Sequence, residues 1–433
     1  MNTMKSHTVI DKPPLTFITD DVKRCITDHQ ISDLFPAIKE NSTEKQPLSY
    51  LDSAAATLKP TPVINALTHY YTKLGVNTYR GVYNLSEQAT ELFDRTRQKV
   101  QAFINAEHKE EIIFTYGTTD SFNLLAETYG RYLLNEGEEI IISEMEHHAN
   151  ILPWQKIAED KNLIIKVVRV NDDGELDLEH FMDLLTPEVK IVSITHTSNV
   201  LGTINPVETI IKKAHQNGSV VALDCAQTMI HEKIDVTDLD VDFIAFSSNK
   251  MFGPTGAGVL YGKKKYLDQM PPYRRGGGGI LNVTFEKAIF QGAPYKFEVG
   301  TQPIGSVIAL GTAIDLIEAI GSETFIQHEK QLMKSAKLAL GTLPYVQVLG
   351  NAAQRASVFS FLIENTHPHD IGTLLNEENV AIRVGHHCAQ PIINKYDANA
   401  TARASFAIYN SIQDVERLIA AIKKVYKLLS SSS

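Results

Sequence analysis

The sequence predicts an α/β protein: a large, mostly parallel seven-stranded sheet with helices on both faces, followed by a smaller α+β domain. Three observations predict it. Short apolar runs alternate with stretches of helical spacing between about residues 111 and 261. Strands buried on both faces read this way, because helical crossovers cover both sides of a parallel sheet. After about residue 305 the pattern changes to long helices and a few short strands. The chain has 433 residues, 43% of them hydrophobic and 21% charged, which is enough for a sizeable core in two or three domains.

The elements follow in order. Glu111-Ile-Ile-Phe-Thr115 reads as a strand, and a helical stretch runs from Thr118 to Leu134. Further strands are expected at 140–143, 164–170, 190–195, 220–223, 243–246 and 257–261. A helix is expected over 207–215, where Ile210, Ile211 and Ala214 share one face. Helices at 306–320 and 323–340 open the second part. Strands at 346–349, 358–362 and 404–408 come next, and a last helix spans 412 to about 428. The expected organisation is an extension at 1–30 with no assigned role and a segment at 31–50 packing with the small domain. A large domain covers 51–305 and a small domain 306–433. The terminal serines are expected to fray.

Charge and cysteine content exclude several classes. Lysine plus arginine is 41 against 51 aspartates plus glutamates, a net charge of −10. This balance argues against nucleic acid or an anionic membrane as the main partner, since both need a basic surface. No run of 18 apolar residues appears, so no membrane span is expected. The first residues lack the apolar core of a secretory signal. The three cysteines, Cys25, Cys225 and Cys388, are too few and odd in number for a disulfide framework, which points to a reducing, cytoplasmic setting.

Polar residues cluster after the strands, where open α/β sheets collect ligands. Tyr116-Gly-Thr-Thr-Asp120 follows the first strand and opens a helix. Gly117, Thr118 and Thr119 there can offer N–H groups and hydroxyls to a phosphate, or simply cap the helix. Glu144-Met-Glu-His-His-Ala-Asn150, His196-Thr-Ser-Asn199, Asp224-Cys-Ala-Gln227 and Ser247-Ser-Asn-Lys250 follow later strands. Each has a bland reading as cap, loop or solvated charge; four successive strand ends carrying such groups argue for a site. An aspartate and a lysine on neighbouring strand ends suit pyridoxal 5'-phosphate (PLP). The lysine links to the aldehyde, and the aspartate keeps the pyridine nitrogen protonated so that the ring draws electrons.

These motifs resemble the class V aminotransferase branch of the fold-type I, aspartate aminotransferase-like PLP enzymes. Arg383-Val-Gly-His-His-Cys388-Ala-Gln-Pro391 and Arg403-Ala-Ser405 narrow the resemblance to group II, SufS-type cysteine desulfurases, which also act as selenocysteine lyases. The resemblance covers roughly residues 31–429. It implies that Lys250 carries the cofactor link and moves protons, that Asp224 pairs with the ring nitrogen, and that Gln227 bonds the ring oxygen. His147 would stack on the ring and transfer protons. Thr118, Thr119, Ser247 and Asn249 would hold the phosphate, with Thr301 reaching the site of a neighbouring subunit in a homodimer. Arg403 and Asn199 would hold the carboxylate of L-cysteine or L-selenocysteine. Cys388 would take the sulfur as a persulfide, leaving alanine.

Fifteen positions separate Cys388 from Arg403, a shorter cysteine segment than in group I relatives. That length implies a sulfur-acceptor protein docking close to the site, within iron–sulfur cluster assembly. Metal binding by His386, His387 and Cys388 is disfavoured, because contiguous residues of an extended chain face opposite ways. Cys225 reads as structural and Cys25 as a surface thiol. Gly276 to Gly279 reads as a flexible turn in a hairpin near the dimer interface. The chain departs from the family pattern at Asn249, Tyr116, Asp120, Cys225, Tyr79 and Tyr83. Two other readings stay open here: another class V reaction, and a catalytically silent partner-binding subunit.

Overall fold

The structure is a computed structural model that describes residues 15–430. Fifteen strands are present among those residues. They are β1 (Ser49–Tyr50), β2 (Ile112–Thr115), β3 (Glu139–Ser143), β4 (Ile164–Val168), β5 (Val189–Thr195), β6 (Val220–Asp224), β7 (Phe243–Ser247) and β8 (Gly258–Gly262). The rest are β9 (Ile280–Val283), β10 (Ala288–Phe290), β11 (Val346–Val348), β12 (Val358–Ile363), β13 (Val380–Ala381), β14 (Arg383–Gly385) and β15 (Thr401–Ser405).

The large sheet has seven strands in the order β2-β8-β7-β6-β5-β3-β4. The five from β7 to β4 run parallel, and only β8 opposes its neighbours. Every residue of β2, β3, β6, β7 and β8 is buried, which is why their sequences are apolar runs rather than alternations. β4 closes one edge and is partly exposed, with polar Lys166 in its middle. β2 closes the other. Its outward groups are met by a buried pair: Glu298 accepts the Phe114 N–H at 2.7 Å, and Arg97 donates to the Ile112 carbonyl at 2.6 Å. Arg97 and Glu298 join in two parallel bonds of 2.7 Å. The edge is thereby capped against pairing with another strand.

Helix α1 (Asp20–Thr27) starts where the Thr19 hydroxyl accepts the Val22 N–H, and carries Asp20 and Asp21 in its first turn, both favourable at a helix N-terminus. Ile18 and Val22 are buried in the main core. Cys25 is half-buried against the same core, not the surface thiol expected. The helix beginning at Thr118 turns π-helical at Ala126–Gly130 before a short α-helical end. Helix α2 (Ile304–Ile320) is apolar all round and almost wholly buried. A surface helix would show a polar face. Among the described residues no single helix is long and apolar enough to cross a membrane.

A four-stranded antiparallel sheet, β11-β12-β15-β14, follows. Phe359, Phe361, Ala402 and Ala404 pack there against Leu418 and Ile422 of α3 (Ile412–Ser430). Residues 431–433, the last of the serines expected to fray, lie outside the described residues. The strand expected at 404–408 lies at 401–405. The apolar Phe-Ala-Ile drew the reading forward, whereas the true strand carries a buried arginine. β1 pairs in parallel with β13. Beyond it, Leu51 bridges Ala381 and Ser405 through backbone bonds of 2.8 Å. Gly276–Gly279 precedes the β9–β10 hairpin rather than turning it; the turn is at Thr284 to Lys287.

Candidate functional site

Parallel register gathers the carboxyl ends of β3, β5, β6 and β7 on one side of the sheet, Thr195 beside Asp224 and Asp224 beside Ala245. A cavity of about 540 Å³ opens there. Of the residues singled out from the sequence, Thr118, Thr119, His147 and Asn199 line it, together with Asp224, Gln227, Ser247, Asn249 and Lys250.

One end of the cavity is a cradle for an anion. The helix from Thr118 begins on Gly117, whose φ is +142°, a conformation open to glycine. The Thr118 N–H and hydroxyl both reach the Ser247 hydroxyl, at 2.8 and 2.7 Å. The start of the helix and the end of β7 thus form one surface of hydroxyls and N–H groups. Gly258 lies beneath it: a Cβ there would sit 2.4 Å from the Gly117 Cα and 2.7 Å from its N. Backbone cannot yield as a side-chain tip can. Gly258→Ala is therefore expected to cost about 2 kcal/mol of stability and to weaken PLP retention tenfold or more, read by thermal melting and equilibrium dialysis.

At the other end Asp224 is 3% exposed. Its Oδ1 accepts the Ala226 N–H at 2.9 Å, and its other oxygen has no hydrogen bond among the described residues. Burial raises its pKa, and Lys250 opposes the rise. A cationic ring nitrogen is the partner such a carboxyl lacks. Gln227 spends one amide N–H on the Ala54 carbonyl at 2.7 Å and keeps the other. Lys250 makes no hydrogen bond among the described residues, and burial lowers its pKa while Asp224 resists. The neutral amine, the form that attacks an aldehyde, is thereby favoured. A phosphate cradle, a half-paired carboxyl and an unpaired lysine fit PLP.

His147 begins the turn after β3. Its Nδ1 accepts the Ala149 N–H at 3.0 Å, which puts its proton on Nε2. Burial, then Lys250, lower its pKa to about 3, so it is neutral throughout the physiological range. The turn stands on Glu146, wholly buried, which accepts from Ser143 (2.5 Å), Asn150 (2.7 Å) and the Thr195 N–H (3.0 Å). Burial raises its pKa to about 8. Glu146 and Asn150 thus carry the turn and leave the histidine to the cavity.

β15 and the segment after β14 supply the remaining groups. Arg403 on β15 is 2% exposed and donates to the Asn199 carbonyl at 2.9 Å and to Asp52 at 3.1 Å. The Cys388 segment is clamped from both sides by the residues that follow β3 and β5. The His148 N–H donates to the Cys388 carbonyl at 2.7 Å, and the Asn199 amide donates to the His387 carbonyl at 2.8 Å. His148 Nε2 also accepts the Gln390 N–H at 3.1 Å. His387 and Cys388 both have φ of +54°, which costs roughly 1–2 kcal/mol each for non-glycine residues. The clamps hold that strained pair near Lys250, whose pKa Arg403 lowers and Cys388 raises. Cys225, by contrast, is fully buried, and burial raises its thiol pKa.

Thr301 does not join this cavity. It is exposed and lines a second opening with Tyr79, Arg80 and Gln302. Tyr116 and Asp120 bracket Arg274, which bonds Asp120 at 2.7 Å and lies 5.4 Å over the Tyr116 ring.

Sequence reasoning missed a strap at residues 52–59. Asp52 pairs with Arg403, the Ala54 carbonyl with Gln227, and Thr57 and Lys59 with Asn249. The Asn249 carbonyl accepts from Thr57 N–H (3.0 Å), Thr57 Oγ1 (3.2 Å) and Lys59 Nζ (2.9 Å). Burial lowers the Lys59 pKa to about 8. The only signal in the sequence was Leu51-Asp-Ser-Ala-Ala, too ordinary to stand out.

Comparisons with known proteins agree with this geometry. Residues 49–418 match the family described as aminotransferase class-V. The chain is 45% identical over 396 residues to a probable cysteine desulfurase of Halalkalibacterium halodurans, covering 92% of this chain and 97% of that one. It is 42% identical over 397 residues to a cysteine desulfurase of Synechococcus elongatus, covering 92% of this chain but 63% of that longer protein. The apo structure of a cysteine desulfurase from Thermococcus onnurineus superposes with a TM-score of 0.87 at 36% identity, covering 92% of this chain and 98% of that one. On these matches and on its site, the chain belongs to the class-V aminotransferase family.

Proposed function

We propose that the chain is a PLP-dependent cysteine desulfurase of the group II, SufS type. It converts L-cysteine to L-alanine and keeps the sulfur as a persulfide on Cys388. The observation that carries this is the Cys388 segment, clamped to the residues that follow β3 and β5 and near enough for Cys388 and Arg403 to act electrostatically on Lys250. The names of the relatives support the same chemistry.

Bound PLP supplies an electron sink that loosens bonds at the substrate α- and β-carbons. Lys250 would anchor the aldehyde and move the proton at the substrate α-carbon. Asp224 holds the proton on the ring nitrogen, and Gln227 donates to the ring oxygen. Thr118, Thr119, Ser247 and Asn249 hold the phosphate. His147, neutral with its proton on Nε2, would stack on the ring and donate toward the reacting substrate. Arg403 and Asn199 fix the α-carboxylate. Cys388 Sγ attacks the substrate sulfur: an S–S bond forms, the Cβ–S bond breaks, and the carbon takes that electron pair and a proton.

The clamps give Cys388 little travel, so a sulfur-acceptor protein comes to it, supplying iron–sulfur cluster assembly in a cytoplasmic setting. A second copy of the chain covers the exposed Val82, Leu281, Val283 and Phe285 and receives Thr301 at its phosphate.

The test is incubation of the PLP-loaded protein with L-cysteine under limiting reductant. The expected result is L-alanine matched by persulfide on the protein; absence of alanine sinks the reading. Running L-selenocysteine alongside ranks the two substrates. Light scattering is expected to give a dimer, and a monomer sinks the shared site.

A further inference from the structure

Arg403 is buried but incompletely satisfied. One terminal nitrogen donates to the Asn199 carbonyl and the other to Asp52 Oδ1. Its Nε is buried with no hydrogen-bond partner. An orphaned guanidinium N–H is costly, and here it marks the edge of the fork left for an incoming acceptor. Asp52 also faces a second cation: its Oδ2 lies 3.6 Å from Arg383, whose side chain is half exposed. One carboxylate therefore serves two guanidiniums. Asp52 is itself held on the strand that carries Arg403, through its bridge to Ser405. Its carbonyl accepts the Ala55 and Ala56 N–H groups at 3.1 and 3.3 Å.

We propose that Asp52 is the positioning residue for the substrate α-carboxylate: it occupies one side of Arg403, leaves the unpartnered Nε edge for the substrate, and offsets the charge of Arg383. The proposal rests on Arg403 being the carboxylate anchor. Without the Asp52 charge, two cations face each other, and Arg403 is left with neutral acceptors alone. Its fork then loses the fixed aim that a two-point carboxylate contact needs. The effect falls on every α-amino acid alike, because the side chain takes no part, and it is an effect on binding more than on bond breaking.

The experiment is a titration of the PLP-loaded protein with L-alanine and with L-serine, followed by visible absorption. In Asp52→Asn both Kd values are expected to rise tenfold or more, by the same factor, with PLP retention unchanged. For L-cysteine, KM is expected to rise more than kcat falls. Asp52→Glu keeps the charge one methylene further out and is expected to recover part of the affinity. It carries the test alone if Asp52→Asn does not fold, when an unchanged Kd overturns the proposal. Tyr50→Phe loses a strap bond to the Ala56 carbonyl (2.8 Å) but keeps the ion pair, and is expected to bind as the parent does. Unchanged or tighter binding in Asp52→Asn overturns the proposal, tighter binding meaning that Asp52 competes with the substrate. Arg403→Gln separates the two claims. If it leaves both Kd values unchanged, the anchor itself fails. If it weakens them while Asp52→Asn does not, Asp52 alone fails.

Discussion

Lys250→Ala is expected to lower L-cysteine turnover by about a thousandfold or more and to abolish the visible band of the lysine-bound cofactor. Lys250 is the cation that acts on Asp224 in the cavity, and it has no hydrogen bond to lose among the described residues. Its removal should therefore leave the fold intact. The phosphate cradle, built from Thr118 and Ser247, does not involve the lysine side chain. PLP is expected to remain bound but dialysable. Full turnover in Lys250→Ala would sink the assignment of this lysine. Loss of the fold would show that the site depends on it structurally.

Cys388→Ala is expected to remove the protein persulfide altogether and to cut alanine formation by about a hundredfold or more, with the cofactor spectrum retained. The bonds that clamp the segment come from the backbone carbonyls of His387 and Cys388, so alanine leaves them in place. The strain of φ at +54° is the same for alanine as for cysteine. A change in stability is thus small, and the loss reads as chemistry. Cys225→Ala and Cys25→Ala are the controls. The first thiol is fully buried with a raised pKa, and the second is half-buried far along α1. Mass spectrometry after L-cysteine is expected to find the added sulfur on Cys388 in both. Undiminished alanine formation in Cys388→Ala would sink the persulfide step.

The cofactor side of the site was legible because its chemistry is local. Asp224, Gln227, Ser247 and Lys250 each follow an apolar strand, and strand-end position alone brings them together. The sheet was legible for the same reason: β2, β3 and β5 to β8 are runs that only double-sided burial explains. The strap at 52–59 was not legible. Its contacts to Asn249 and Arg403 span more than 190 residues of chain, and no local period encodes them. The start of β15 was hidden by its arginine, since a buried cation has no propensity signal. It is tolerated there because Asp52 and Asn199 meet it. Asp52 itself sits in a short polar turn whose neighbours are small, so nothing about it stood out until the fold set it beside two arginines.

The bridging of Leu51 between Ala381 and Ser405 has a consequence for the order of events during synthesis. The small sheet needs β15, and the segment entering the large domain needs both β13 and β15 beside it. A chain emerging from the ribosome can assemble the large parallel sheet as soon as β8 is free. It cannot seat residues 49–52 until residue 405 has emerged. Those early residues wait through most of translation, and loop closure over such a separation is slow. Arg403 and the clamped cysteine are therefore among the later parts of the molecule to form. A truncated or nascent chain able to take up PLP is left without Cys388 and Arg403.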